Sequence, residues 1–87
     1  MHCRLASEVE ERRRAIGLHL AEALEVLEHG PTVERDESDP ALGPLVRVTG
    51  LTARGRAVVI RAQAERLPMT VVGIEGDEEA PIPREAA

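Results

Sequence analysis

Residues 45–75 read LVRVTGLTARGRAVVIRAQAERLPMTVVGIE, and the fold turns on how this stretch is divided. Leu45 to Thr49 alternates, with Val46 and Val48 on one face and Arg47 and Thr49 on the other, the pattern of a half-buried strand. Thr52 is a suitable N-cap, and Ala57, Ile60, Ala64 and Leu67 then recur at helical spacing, with Val58 or Val59 adding to that side. The spacing predicts a helix over 53–67, stopped by Pro68. Met69 to Glu75 is β-branched and nearly continuous in apolar character, which predicts a central strand covered on both faces. A strand–helix–strand unit makes a right-handed crossover with its two strands parallel.

Working outward, residues 8–29 predict one long helix. Ser7 and Glu10 have the S-x-x-E capping pattern. Val9, Ile16, Leu20, Ala23, Leu24 and Leu27 form an apolar stripe. Leu18 and Val26 fall off it, which marks them as residues that widen the buried face or make a subunit contact. Glu8 with Arg12 and Glu10 with Arg14 are acid-first i,i+4 pairs. Gly30-Pro31 ends the helix. Thr32 to Glu37 predicts a weak, charged edge strand, joined to 45–49 as a hairpin through the turn signals Ser38-Asp39-Pro40 and Gly43-Pro44. The expected fold is therefore α+β: an αββαβ two-layer domain over 1–75, with a three-stranded mixed sheet and two helices on one face. Residues 76–87, rich in acid and proline, are expected to be a flexible tail.

The chain has 87 residues, with no Phe, Tyr or Trp, and Val, Leu and Ile together number 22. An aliphatic core of this size is thin, and small domains of that kind often gain stability by self-association. A homo-oligomer, first of all a dimer, is expected, its contacts covering an open sheet face. All eleven basic residues are Arg. The missing Lys points to GC-rich bacterial coding and is also compatible with a thermophile. A net charge of −5 and the absence of aromatic rings argue against nucleic acid as a general partner. One cysteine, Cys3, rules out an internal disulfide framework and suits a reducing cytoplasm. No apolar run is long enough to span a membrane.

The segment with most chemical promise is Gly50-Leu51-Thr52-Ala53-Arg54-Gly55-Arg56. Between a strand and a helix start, free N–H groups and two guanidinium groups attract anions. Gly50, Thr52, Arg54, Gly55 and Arg56 are the candidate anion-binding residues. The G-x-x-x-x-G spacing resembles a P-loop, with Arg56 and Ala57 standing where that motif has Lys and Ser or Thr. Leu51-Thr52-Ala53-Arg54-Gly55-Arg56 resembles the L-T-x-x-G-R segment of winged-helix transcription regulators, which implies a helix opening here and a DNA-binding role. Here one helix and the acidic segment Glu34 to Asp39 stand before it, where that family has a helix-turn-helix. Val46-Arg47-Val48-Thr49-Gly50, a helix, and Val71-Val72-Gly73-Ile74 resemble a βαβ half of the ACT domain, which implies a ligand-binding regulatory module completed by a dimer.

The remaining chemistry is sparse. Arg12-Arg13-Arg14 reads as a solvated face balanced by neighbouring Glu. His2, Cys3, His19 and His29 lack metal-ligand spacing. No Ser or Cys has a base and orienter suggested beside it. The expectation is a protein with no catalytic residues, metal or cofactor. It is a small oligomeric accessory or regulatory protein that binds another macromolecule, a protein being the expected partner. An anion or small-molecule sensor using the Gly50–Arg56 loop is one alternative, and a winged-helix-like DNA-binding regulator is the other.

Overall fold

Val58, Val59 and Ile60 decide the middle of the chain. Three consecutive β-branched residues are restricted in a helix and pack well on a pleated surface. In the computed structural model, which describes residues 3–37, 40–41, 43–63 and 69–83, they lie in a strand. The elements are β1 (Cys3–Leu5), α1 (Ser7–Ala15), α2 (Leu20–His29), β2 (Thr32–Asp36), β3 (Leu45–Leu51), β4 (Ala57–Gln63) and β5 (Met69–Gly76). The helix expected over 53–67 is replaced by a turn and β4, its last residues, 64–67, lying outside the described ones. Ala57, Ile60, Ala64 and Leu67 do fit a helical spacing. Val58, Ile60 and Ala62 fit a period of two, and these are the residues buried.

The class is α+β, as the sequence implies, but the sheet has five strands in the order β1-β5-β4-β3-β2, not three. β2–β3, β3–β4 and β4–β5 are all antiparallel, and only β1 and β5 run parallel. The expected crossover between residues 45 and 75 is thus two consecutive hairpin ladders. The β2–β3 hairpin forms as predicted. The β4–β5 ladder shifts register between Arg61 and Ala62, a β-bulge.

Both helices come from the segment read as one. Ile16 ends α1, Gly17 has φ 71°, the N–H of Gly17 donates to the Arg14 carbonyl and that of Leu18 to the Arg13 carbonyl. These are the two hydrogen bonds of a Schellman motif with glycine in the left-handed position. The break resets the helical phase. Val26 then joins Ala23 and Leu27 on the buried side of α2. The cap expected at Ser7 sits one residue earlier, at Ala6.

α1 and α2 share one apolar cluster with Val48, Val58, Ile60, Ala62, Val71 and Ile74, so both helices cover the same sheet face. Burying an aliphatic side chain contributes about 1.5–3 kcal/mol, and this cluster supplies most of the fold's cohesion. Gly50 lets the end of α2 close on β3: a Cβ there would stand 3.0 Å from the Gly30 Cα and 3.3 Å from Pro31 Cδ. After β5 the chain crosses to the end of α1. The N–H of Asp77 donates to Ala57, that of Glu79 to Ile16 and that of Ile82 to Arg14, each at a carbonyl. The last two reach carbonyls at the helix end, that of Arg14 accepting from Gly17 as well. Among the described residues no helix is long and apolar enough to cross a membrane.

Candidate functional site

The Gly50–Arg56 segment is a hairpin turn, so the helix start that would have drawn an anion is absent from it. The N–H of Gly55 donates to the Thr52 carbonyl (2.8 Å) and that of Thr52 to the Arg56 carbonyl (2.9 Å). Gly55 has φ 81° with open space around it, so the turn needs its conformation and not its small size. This is the three-residue hairpin with glycine in the left-handed position. Thr52 is buried, and its Oγ1 accepts the N–H of Arg56 (3.2 Å). The winged-helix and ACT-like readings both required a helix at this point, and neither matches a turn joining two antiparallel strands.

The two arginines of the turn are neutralised from within the chain. Arg54 pairs with Glu79, which raises its pKa. Arg56 has a side chain only 4% exposed and donates to the carbonyls of Gly17 (2.8 Å), Ile16 (2.7 Å) and Asp77. Its Nε lies 3.0 Å from Glu79 Oε2 and its Nη1 3.8 Å from Glu22 Oε1. Arg56 therefore ties β4 to the α1–α2 junction and to the segment after β5. Glu79 stands where an external anion would have to stand, so the candidate anion site is filled by the chain's own carboxylate. Gly17 permits this approach, since a Cβ there would collide with the Ala80 carbonyl.

Leu18 and Val26, read as widening the buried face or making a subunit contact, are 0% and 1% exposed and belong to the core, so the first of the two holds within this chain. They fall off the long-helix stripe because there is no long helix. Within Arg12-Arg13-Arg14 only Arg14 keeps an expected partner, Glu10 (3.4 Å). Arg13 is buried; its Nε and Nη2 donate to Glu10, both at 2.9 Å, and its Nη1 to the Leu18 carbonyl. The Arg13 hydrogen bonds hold the Glu10 carboxyl below its ordinary pKa. Arg12 bypasses Glu8 and donates to Glu75 of β5 (2.7 Å). Among the described residues no group of three or more His, Cys, Asp or Glu is placed to hold a metal.

No family model, curated protein or solved structure matches this chain. What it can do rests on its own side chains, and the face of the sheet away from the described helices is where they remain available, except at the end where Leu45 is 1% exposed. On that face the cross-strand register lines up Glu34, Arg47, Arg61 and Gly73 across four strands, with Thr32, Thr49, Val59 and Glu75 in the next row. Arg47 donates to Glu34 (2.7 Å), and that bond raises its pKa. Leu51, at the end of β3, is 66% exposed.

Arg61 is the exception in this row. Seven of the nine described arginines have a carboxylate within 4.0 Å; Arg4 and Arg61 have none among the described residues. Arg61 instead faces a like charge, Arg47, directly across the ladder, an arrangement that disfavours folding. Two backbone features accommodate it. The bulge falls beside it, and Gly73 leaves room for its head: a Cβ at 73 would lie 2.8 Å from Arg61 Nε and 2.9 Å from Nη2. The guanidinium thus lies over β5 and lines a groove of about 180 Å³ with Glu8, Val9, Arg12, Val72 and Glu75. Arg61 is absent from the candidate residues because the helical spacing over 53–67 gave it no place on a sheet face. The signal available was a Val-Val-Ile run followed by an arginine, with a glycine opposite in the next strand.

Proposed function

We propose that this chain is a non-catalytic accessory or regulatory protein that works as an oligomer and acts by binding another protein molecule, of its own or a different kind, through the sheet face that no described helix covers. The observation that carries this reading is Arg61. It is a cation in the middle of the sheet, accommodated by a bulge and a glycine, with no carboxylate within 4.0 Å among the described residues. Arginine heads of this kind are frequent anchors of protein interfaces. The surrounding Thr49, Val59 and Leu51 supply small and apolar contacts of the sort an interface core uses. The reduced Cys3 fits a cytoplasmic setting. Net charge and the acidic groups at the rim of the face, Glu34 and Glu75, disfavour a polyanion such as DNA.

The reading is tested by placing a photo-crosslinking amino acid at Thr49, and separately at Glu25 on the exposed side of α2, in the protein expressed in its own host. Adducts at Thr49 and none at Glu25 are expected. Adducts at Glu25 with none at Thr49 would move the working surface to the helices, and no adduct at either position would remove the binding role.

A further inference from the structure

We propose that the occupant of the uncovered sheet face is a second copy of this chain, held by reciprocal ion pairs between Arg61 of each copy and Glu75 of the other. This deepens the reading above by naming the oligomer's contact, and it rests on that reading. A twofold interface requires a surface to be complementary to itself, so both members of each pair must lie on one face. Here they do. Val59 pairs with Glu75 and Arg61 with Gly73 across the β4–β5 ladder, so Arg61 and Glu75 occupy opposite corners of a four-residue patch. β4 is the middle strand of five, and Gly73 and Glu75 lie on the part of β5 beyond its pairing with β1 at 69–71, so the patch reaches from the middle of the sheet to its open edge.

A twofold axis lying between the two sheets along the Val59–Gly73 diagonal superposes Arg61 of one copy on Glu75 of the other, twice. Val59 then meets Val59, and the strands cross at a steep angle, as in orthogonal sheet packing. Gly73 on the axis keeps the backbone low, so the two guanidinium groups can lie flat between the sheets. Glu75 is 64% exposed and gives one oxygen, Oε2, to Arg12; a carboxylate has capacity for a second cation on the other oxygen. Arg12–Glu75–Arg61 would then form a charge-assisted chain running across the interface. Charge complementarity also disfavours the other occupants. A partner rich in acid would face Glu34 and Glu75 around one free arginine, and a basic partner would face Arg47 and Arg61.

Sedimentation equilibrium of the intact chain tests this, over a wide concentration range and at low and high salt. A dimer weakened by salt is expected. Arg61→Glu alone and Glu75→Arg alone should each raise the dissociation constant about 100-fold, tenfold for each of the two symmetric pairs. The double change Arg61→Glu with Glu75→Arg should restore the dimer in part, because it exchanges the charges and keeps the pairs between copies, while Arg12 loses its partner within the chain. Gly73→Ala, which keeps every charge but displaces the Arg61 head, should weaken it as well. Thermal unfolding of each variant by circular dichroism shows which of them remain folded. A wild-type monomer at all concentrations, a dimer indifferent to the single reversals, or a double variant that stays monomeric overturns the proposal. If the wild type is monomeric while Thr49 crosslinks to a different protein, the second-copy assignment falls and the binding role stands. If Thr49 captures nothing either, both fall.

Discussion

Arg56 and Arg61 lie five residues apart on one stretch of chain, the first just before β4 and the second within it. Arg56 is enclosed, donates to three carbonyls and stands against two carboxylates. Arg61 lies on the uncovered face with no carboxylate among the described residues. An odd separation along an extended chain sends two side chains to opposite faces. One face is roofed by helices, and there a buried cation is tolerated only when it is fully paired. The other has no helical roof among the described residues, and there an unpaired cation costs little until something is placed against it. The same residue type is a structural tie on one side of the sheet and an available contact on the other.

The most severe way to break this comparison is Arg56→Ala. It leaves the carbonyls of Ile16, Gly17 and Asp77 without their donor and the Glu22 carboxylate without its cation, while Glu79 keeps only Arg54. A loss of about 3–5 kcal/mol is expected, a large part of the roughly 5–15 kcal/mol available to a small domain. Urea unfolding followed by far-ultraviolet circular dichroism measures it, and a loss under about 1 kcal/mol would show that Arg56 ties nothing together.

Two glycines sharpen the role of the segment that meets Arg56. Gly17 and Gly55 both have positive φ, but only Gly17 has a neighbour, the Ala80 carbonyl. Gly55→Ala is expected to cost about 1 kcal/mol from backbone strain alone. Gly17→Ala adds a collision and is expected to cost about 2–3 kcal/mol. Equal losses in the same unfolding assay would mean that residues 77–83 are not seated against the α1–α2 junction.

A pH series addresses Glu10, whose carboxyl is held below its ordinary value chiefly by the Arg13 hydrogen bonds. A carboxyl with a lowered folded-state pKa contributes stability above its unfolded value, near 4.5, and that contribution is lost as pH falls through the folded value. Wild type should therefore lose more stability than Glu10→Gln between neutral pH and the acid side of 4.5. Parallel curves would show that the Arg13–Glu10 contact is not formed in solution.

The smallest expected effect is Arg61→Ala. Stability should change by no more than about 0.5 kcal/mol, as for a surface side chain, while self-association is lost. A drop comparable to that of Arg56→Ala would make Arg61 a structural residue and erase the contrast between the two faces.

Much of the fold's periphery could be read in residue patterns. β2, β3 and β5 lie close to their expected ranges, because alternation, β-branching and turn residues agreed there. The middle of the chain was ambiguous for a definable reason: residues 57–63 satisfy both a helical and an alternating apolar spacing. Gly55 was the missed clue, since a glycine five residues after another and just before a β-branched run suits a hairpin turn better than a helix start. In the first helix the clue was Gly17, together with Leu18 and Val26, whose misfit with a single stripe marked a break and not an interface. Gly50, Thr52, Arg54, Gly55 and Arg56, expected to bind an anion, lie in and beside one turn. What the pattern could not reveal was that Glu79, 23 residues beyond Arg56 in sequence, would take the anion's place.

The amino-acid sequence by itself determined the α+β class, the aliphatic composition of the core, the weak charged edge at β2 and the chain's acidic balance. Those properties follow from local spacing and residue type, which act over a few positions. The tertiary structure alone decided that residues 57–63 would extend, that Arg56 would be neutralised and that Arg61 would not. An apolar segment compatible with two secondary structures takes the one whose partners can bury it. Here β3 and β5 lie on either side of it, and their open hydrogen-bonding edges are satisfied only by a strand.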